Sequence, residues 1–327
     1  MSKNKRVLSG MQPSGKPHLG NYLGAMKPHI ELQENHECFY FLANYHALTT
    51  VRDKDKLAEM TTGLALDYLA LGLDPEKTAF FRQSDIPEVT ELTWIISTVT
   101  PFGLLERAHA WKDSIAKGTK NPTVGLFSYP VLMAADILIY DSELVPVGRD
   151  QKQHIEIARD IATTFNHTYG ETFIVPEDLI KKEVETILGT DGIHKMSKSY
   201  SNTVEIFAPE EDLRKQVMSM VTDPARVRRD DPGNPDVCNV FTLHKIFNSE
   251  KNIAEINKNC RNASLGCVDC KKQILESIME ELKAARKKRI ELENNLDYIE
   301  EVLRRGATRA REVATKTLDR VRNSVGL

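Results

Sequence analysis

Through the first two hundred residues, short apolar runs alternate with stretches in which apolar residues return every three or four positions. The runs "RVLSGM", "CFYFLANYHAL", "TAFFRQS" and "ELVPVG" are rich in Val, Leu, Phe and Tyr and predict strands. Between the second and third, Leu57, Met60, Leu64, Tyr68 and Leu71 form one stripe, and Gly72 and Pro75 mark its stop, which predicts a helix. Strand–helix–strand repetition predicts a parallel α/β sheet with ligands at the carboxyl ends of its strands.

Around Tyr200 the pattern changes. "APEEDLRKQVMSMV" opens on Pro209, Glu210 and Glu211, which suit a helix N-terminus, and continues with Leu213, Val217 and Met220. "TDPARVRRDDPGNPD" follows as a loop or linker. From Lys271 onward the pattern is helical, with Ile274, Ile278 and Leu282 on one stripe. The expected organisation is an α/β catalytic domain over residues 1–202 followed by an all-helical domain over 203–327.

Composition narrows the class. The 327 residues are 41% hydrophobic and 28% charged, which suits a folded globular protein with a sizeable core. "MSKNKRVLSGMQPSGK" is basic without an apolar core, and "YPVLMAADILIY" is interrupted by Asp136 and too short to span a bilayer. A cytoplasmic protein with no membrane association is expected. Net charge is −3, yet residues 281–327 carry 12 Lys and Arg against 8 Asp and Glu. That basic excess reads equally as solvated helix charges or as an RNA-facing surface.

Two short segments carry candidate chemistry. "SGMQPSGKPHLGNYLGA" joins the first strand to a helix, with Gly10, Gly15, Gly20 and Gly24 allowing close backbone approach to an anion. Taken alone, such a turn is as readily structural as phosphate-binding. "HKMSKSYSN", residues 194–202, sets two lysines among small hydroxylated residues and would by itself read as a solvated, mobile charge run.

Together, "KMSKS" and "PHLGN", in this order on this background, resemble the two signatures of class I aminoacyl-tRNA synthetases. The resemblance implies a Rossmann-like catalytic domain that joins an amino acid to the α-phosphate of ATP. It assigns Gln12, Pro13, Ser14, Gly20, Asn21, Lys195, Met196, Ser197, Lys198 and Ser199 to ATP, with Mg2+ carried on the phosphates. It assigns catalysis to Lys195, Lys198, His18 and Gln12. The lysines would meet charge developing on departing pyrophosphate, His18 and Asn21 would bond phosphate oxygens, and Gly20 would leave room for adenosine.

Residues 129–160, "YPVLMAADILIYDSELVPVGRDQKQHIEIARD", narrow the resemblance to the tryptophanyl-tRNA synthetases, over about residues 6–202. Tyrosyl relatives carry a Tyr, a Gln four residues on and an Asp three further. Here the same spacing gives Tyr129, Met133 and Asp136, and a thioether in place of the amide suits a large aromatic face. The resemblance implies that Asp136 accepts the indole N–H, a donor-only group. Val145 and Val147 would wall the ring, Tyr129 and Gln151 would reach the ammonium end, and His46, Gly148 and Asp150 would complete the tryptophan site. Without the resemblance, Met133, the valines and His46 are ordinary core residues. Three positions depart from the common pattern: Arg149 where an acidic residue is usual, Leu8 where an aromatic is common, and Ser114 where many relatives carry a lysine two positions beyond Lys112.

Four of the five cysteines fall within 33 residues: Cys238, Cys260, Cys267 and Cys270, separated by 21, six and two residues. In a reducing compartment this favours metal ligation over disulfides, and the spacing admits zinc or an iron–sulfur cluster. The chain resembles the minority of bacterial tryptophanyl-tRNA synthetases that bind a 4Fe-4S cluster through this arrangement, in a turn-rich loop near the region that reads the anticodon. Cys38 reads as a core thiol. The implied partners are ATP, L-tryptophan, tRNA(Trp) and a second copy of the chain in a homodimer. The rival readings are a synthetase-like RNA-binding protein without catalysis and a tyrosine-specific homologue.

Overall fold

A computed structural model describes residues 4–116, 118–148, 151–179 and 187–327. Five strands form one parallel sheet: β1 (Arg6–Met11), β2 (Glu37–Leu42), β3 (Thr78–Arg82), β4 (Leu144–Pro146) and β5 (Glu177–Leu179), in the order β3-β2-β1-β4-β5. The four expected strands are present. The second is shorter than its apolar run, because the chain turns into a helix at Asn44–Ala47, and "NYHA" leaves the sheet. β5 was not expected: three residues with two acids carry no strand signature, and sheet pairing alone holds them.

The chain divides into two compact units, and they do not follow the boundary expected at residue 202. One unit comprises Met1–Gly15, Pro28–Lys182 and Leu292–Leu327; the other comprises Lys16–Lys27 and Glu183–Glu291.

In the sheet unit, alternation along the strands sorts side chains to two faces. Leu8, Phe39, Phe41, Ala79 and Phe81 join a core built with the helices Glu88–Ser97, Val124–Leu138 and Lys152–Tyr169. Leu8, at the position where relatives often carry an aromatic, is part of that core. On the other face Tyr40 and Phe80 meet His29 and Tyr68, the latter from the helix Lys54–Leu71. That helix begins under an Asp53 cap and ends at Gly72, whose φ of 110° favours glycine.

The C-terminal helix Leu296–Val325 lies against β3, the edge strand of the sheet. A Cβ on Gly306 would sit 1.9 Å from the Phe80 carbonyl oxygen, so only glycine permits this approach. Ile299, Val302, Leu303, Ala307, Ala310, Ala314, Leu318 and Val321 form its buried stripe. Arg305, Arg311, Arg320 and Arg322 pair with Glu76, Glu88, Asp141 and Glu91, and Arg82 pairs with Glu300. Much of the basic excess near the C-terminus is therefore matched by acids of the same unit. Solvent screens such exposed pairs, so the apolar stripe dominates the packing of this helix.

The second unit holds the helices Glu210–Ser219, Asn239–Phe247, Glu250–Arg261 and most of Cys267–Glu293. Leu213, Val217, Phe241, Ile274, Ile278 and Leu282 are buried. The last helix starts at Cys267, so the loop expected through "NASLGCVD" ends at Gly266. No helix among the described residues is long and apolar enough to cross a membrane.

Candidate active site

The "PHLGN" segment is tied down by backbone bonds within the second unit. Leu19 N donates to Val204 O at 2.9 Å and Ile206 N to Pro17 O at 3.2 Å. His18 caps the short turn Leu19–Asn21: its Nδ1 accepts from Asn21 N at 3.3 Å, while Asn21 Oδ1 accepts from His18 N at 3.2 Å. This exchange sets the tautomer. Nδ1 is occupied as an acceptor, so the ring proton sits on Nε2 and that nitrogen is the donor. Burial, then the positive charges of Lys198 and Lys195, hold the imidazole down at about 4. His18 is therefore neutral at physiological pH. A Cβ on Gly20 would lie 3.0 Å from His18 Nδ1 and 3.5 Å from Met196 Cβ, so the missing side chain at position 20 makes room for the imidazole.

The lysine signature is a built turn, where its composition alone predicts a mobile charge run. Leu188 pairs with Lys195 in an antiparallel bridge, and Met196 N donates to Ile187 O at 2.9 Å. Met196 is 2% exposed and anchors the segment, leaving Lys195 and Lys198 on the outside. Ser197 caps the turn Lys198–Tyr200 and shares a 2.9 Å bond with Ser199.

Two residues the sequence reading passed over support this turn. Asn202, 2% exposed, accepts from Ser197 N at 2.8 Å and donates to Asp191 Oδ2 at 3.1 Å. Asp191 accepts from Ile193 N, from His194 and from Asn202, which hold its carboxyl down at about 2. Asparagine and aspartate three to eleven residues apart carry no periodic signal. Only the folded hairpin reveals them as its pegs.

In the sheet unit, "QPSG" leaves the end of β1. Pro13 is buried, Gln12 and Ser14 are exposed, and Gly15 takes a φ of 94°. Gln12 Nε2 donates to Thr50 Oγ1 at 3.4 Å.

A second cluster forms on the helix Val124–Leu138, where Tyr129, Met133 and Asp136 share one face through their spacing of four and three. Asp136 is 1% exposed. Its Oδ2 accepts from His46 Nε2 at 3.0 Å and from Gln83 Nε2 at 2.8 Å, and its Oδ1 accepts from the same Gln83 nitrogen at 2.9 Å. Burial raises its carboxyl above the usual range, while His46 and Gln83 oppose the rise. Tyr129 Oη and His154 Nε2 lie 2.7 Å apart, and the Tyr129 ring meets His46 edge-on. Val145 is buried in the adjoining core, with Met133 and Val147 packed against it. Gly148 and Gln151 are exposed at the entry to the helix Lys152–Tyr169. Asp150 and Arg149 lie outside the described residues. Ser114 is buried. Gln83 and His154 were not foreseen; a glutamine after a strand and a histidine inside a helix have no signature of their own.

The four clustered thiols influence one another. Burial first, then Cys238, Cys260 and Cys267, push the Cys270 thiol up to about 12. Arg226 Nη1 lies 3.8 Å from Cys267 Sγ, His244 Nε2 lies 3.3 Å from Cys270 Sγ, and the backbone N–H groups of Val240 and Phe241 bond Cys238. Among the described residues, no group of three or more His, Cys, Asp or Glu side chains is set to hold a single metal ion. Cys38 is fully buried in β2.

Comparison with known proteins gives a consistent result. The family described as tRNA synthetases class I (W and Y) matches residues 1–283. A tryptophan–tRNA ligase of Fusobacterium nucleatum is 50% identical over 324 residues, covering 99% of this chain and 98% of the relative. A crystal structure of tryptophanyl-tRNA synthetase from Campylobacter jejuni, complexed with ADP and tryptophan, superposes with a TM-score of 0.91 at 46% identity. It covers 98% of this chain and 100% of its own. A crystal structure of tryptophanyl-tRNA synthetase from Mycoplasma pneumoniae superposes with a TM-score of 0.84 at 31% identity, covering 99% of this chain and 98% of its own.

Proposed function

The chain belongs to the class I tryptophanyl-tRNA synthetases, and from that premise we infer how its residues divide the work. It is a tryptophan–tRNA ligase and works in two steps. A tryptophan carboxylate oxygen attacks the α-phosphorus of ATP, the bond to pyrophosphate breaks, and tryptophanyl-adenylate forms. A terminal ribose hydroxyl of tRNA(Trp) then attacks the acyl carbon and AMP leaves. Neither step needs a protein nucleophile, so catalysis rests on positioning and on charge stabilisation.

The observation that carries the amino-acid assignment is the buried Asp136 carboxylate. An ionised carboxylate offers about four acceptor directions, and His46 and Gln83 occupy three. One direction is left for a donor, and indole is a donor only. On the phosphate side, neutral His18 offers Nε2–H, and Lys195 and Lys198 supply the cations that meet pyrophosphate, whose Mg2+ arrives with ATP. Tryptophan-dependent ATP–pyrophosphate exchange tests this reading, with tyrosine as the control. Exchange with tryptophan alone is expected. Exchange with tyrosine would move the chain to the tyrosyl branch, and exchange with neither would favour a non-catalytic RNA-binding role.

Cys238, Cys260, Cys267 and Cys270 would hold a 4Fe-4S cluster, which would cross-link the starts of the helices Asn239–Phe247 and Cys267–Glu293 to the end of Glu250–Arg261. Support comes from four thiols close enough to feel one another's charge, with Arg226 and backbone N–H groups beside the sulfurs. Anaerobically purified protein is expected to be brown, with about four iron and four sulfide per chain. Cys267→Ser should lose the visible absorption, and tRNA charging before pyrophosphate exchange. A colourless protein with one zinc per chain would overturn the assignment.

A homodimer is the expected assembly. Phe102 is 66% exposed while its ring packs at a tilt against Phe127, which in turn meets Trp111 edge-on. That aromatic surface of the sheet unit suits an isologous contact with a second copy.

A further inference from the structure

We infer that Gln83 is the positioning residue for tryptophan specificity: by holding both oxygens of Asp136 and the turn that carries His46, it aims the carboxylate's one remaining acceptor direction at a ring N–H. The inference rests on the reading of Asp136 as the indole acceptor.

A carboxylate on an aspartate turns about a broad, roughly twofold torsion, so its plane is set only by donors that act together. Gln83 Nε2, nearly equidistant from Oδ1 at 2.9 Å and Oδ2 at 2.8 Å, holds the head of the group in place. His46, bonded to Oδ2 alone at 3.0 Å, sets its rotation. The orientation of the Gln83 amide is in turn imposed. Its Oε1 accepts from Tyr45 N at 3.0 Å and His46 N at 3.4 Å, two backbone groups that cannot accept, so the amide nitrogen has to face Asp136.

The same contact places the other donor. His46 belongs to the turn Asn44–Ala47 whose N–H groups Gln83 receives, and Asn44 and Ser84 exchange bonds at 2.8 and 3.0 Å. The turn after β3 thereby sets both groups that hold Asp136. Gln83 is 1% exposed, so water does not substitute for it.

The consequence is read with two amino acids of nearly the same shape: L-tryptophan and its benzothienyl analogue, in which sulfur replaces the ring N–H. A buried acceptor left without its donor costs discrimination of about 10²-fold or more, and wild-type protein should prefer tryptophan by that factor in kcat/KM for pyrophosphate exchange. In Gln83→Met the preference should fall to within about tenfold, through a raised tryptophan KM, with the ATP KM unchanged. Gln83→Glu keeps an acceptor for Tyr45 and His46 and guards against a variant that does not fold. It places a second carboxyl against Asp136, and the pair shares one proton.

A protonated Glu donates as the amide does. The preference should therefore stay near wild type at the acid end of the assay range and collapse toward its alkaline end, as the shared proton leaves and two anions repel. Wild-type preference should not show that alkaline collapse, because an amide at position 83 carries no shared proton. The titratable groups facing Asp136 are His46 and Tyr140, and Tyr140 also feels Glu88. Gln83 variants that keep the full preference at every pH would overturn the inference and leave the role of Asp136 intact. Equal loss for both amino acids with no pH dependence would reduce Gln83 to a structural residue and also overturn it. A wild-type protein indifferent to the missing N–H would instead overturn the reading of Asp136.

Discussion

Lys195→Ala combined with Lys198→Ala is expected to slow pyrophosphate exchange by about 10³-fold or more, with each single variant losing about 10²-fold. The two ammonium groups serve one developing charge, so the double loss should be smaller than the product of the singles. Tryptophan KM should hardly change, because the Asp136 carboxylate is held by His46 and Gln83 of its own unit. Folding should also survive. Met196 and Asn202 anchor the turn, and both lysine side chains lie on its outside.

The same variant carries a second readout in its pH profile. His18 sits at about 4 because of burial first and then Lys198 and Lys195. Wild-type exchange should thus show no loss from His18 protonation until pH falls toward about 4. Removing both cations leaves burial as the only force holding the imidazole down, so its midpoint rises toward the free value and the acid limb of the double variant moves up in pH. Full exchange rate in the double variant, or an unmoved acid limb, would detach these lysines from the phosphate chemistry.

The lysines were visible in the sequence because their chemistry is local: five consecutive residues contain both cations and the buried methionine between them. The sheet was visible for a related reason. Buried parallel strands read as apolar runs, which β2 and β3 show almost throughout and β1 and β4 over shorter stretches. What escaped was held by contacts distant in the chain. Gln83 meets Asp136 across 53 residues, and Arg305 meets Glu76 across 229. Neither side of such a pair has a periodicity to announce it. The C-terminal helix shows the point most clearly. It was legible only as part of the helical pattern from Lys271 onward, and nothing in that pattern says which surface covers it. That is decided by Gly306 against the Phe80 carbonyl and by arginines whose acids lie on the sheet unit, so the helix left the all-helical domain to which its pattern assigned it.

Asp136→Asn is expected to raise the tryptophan KM by about 10- to 150-fold, equivalent to about 1.5–3 kcal/mol, while the ATP KM stays near its original value. The substitution preserves shape and removes charge, and its effect follows from donor counting. Gln83 and His46 both present N–H groups to position 136, and Gln83 cannot turn over because Tyr45 N and His46 N hold its oxygen. The single carbonyl oxygen of asparagine can face one of these donors or the indole, but its own NH2 then faces a donor inside a buried site. Asp136→Ala removes the acceptor and leaves both donors unpaired beside a cavity, so it should also lower Tm, which Asp136→Asn should do only slightly. Steady-state exchange with varied tryptophan, alongside thermal unfolding, separates the two effects. If Asp136→Asn binds tryptophan as tightly as the unaltered protein, the acceptor for the indole lies elsewhere, and the bonds from His46 and Gln83 serve only to satisfy a buried charge.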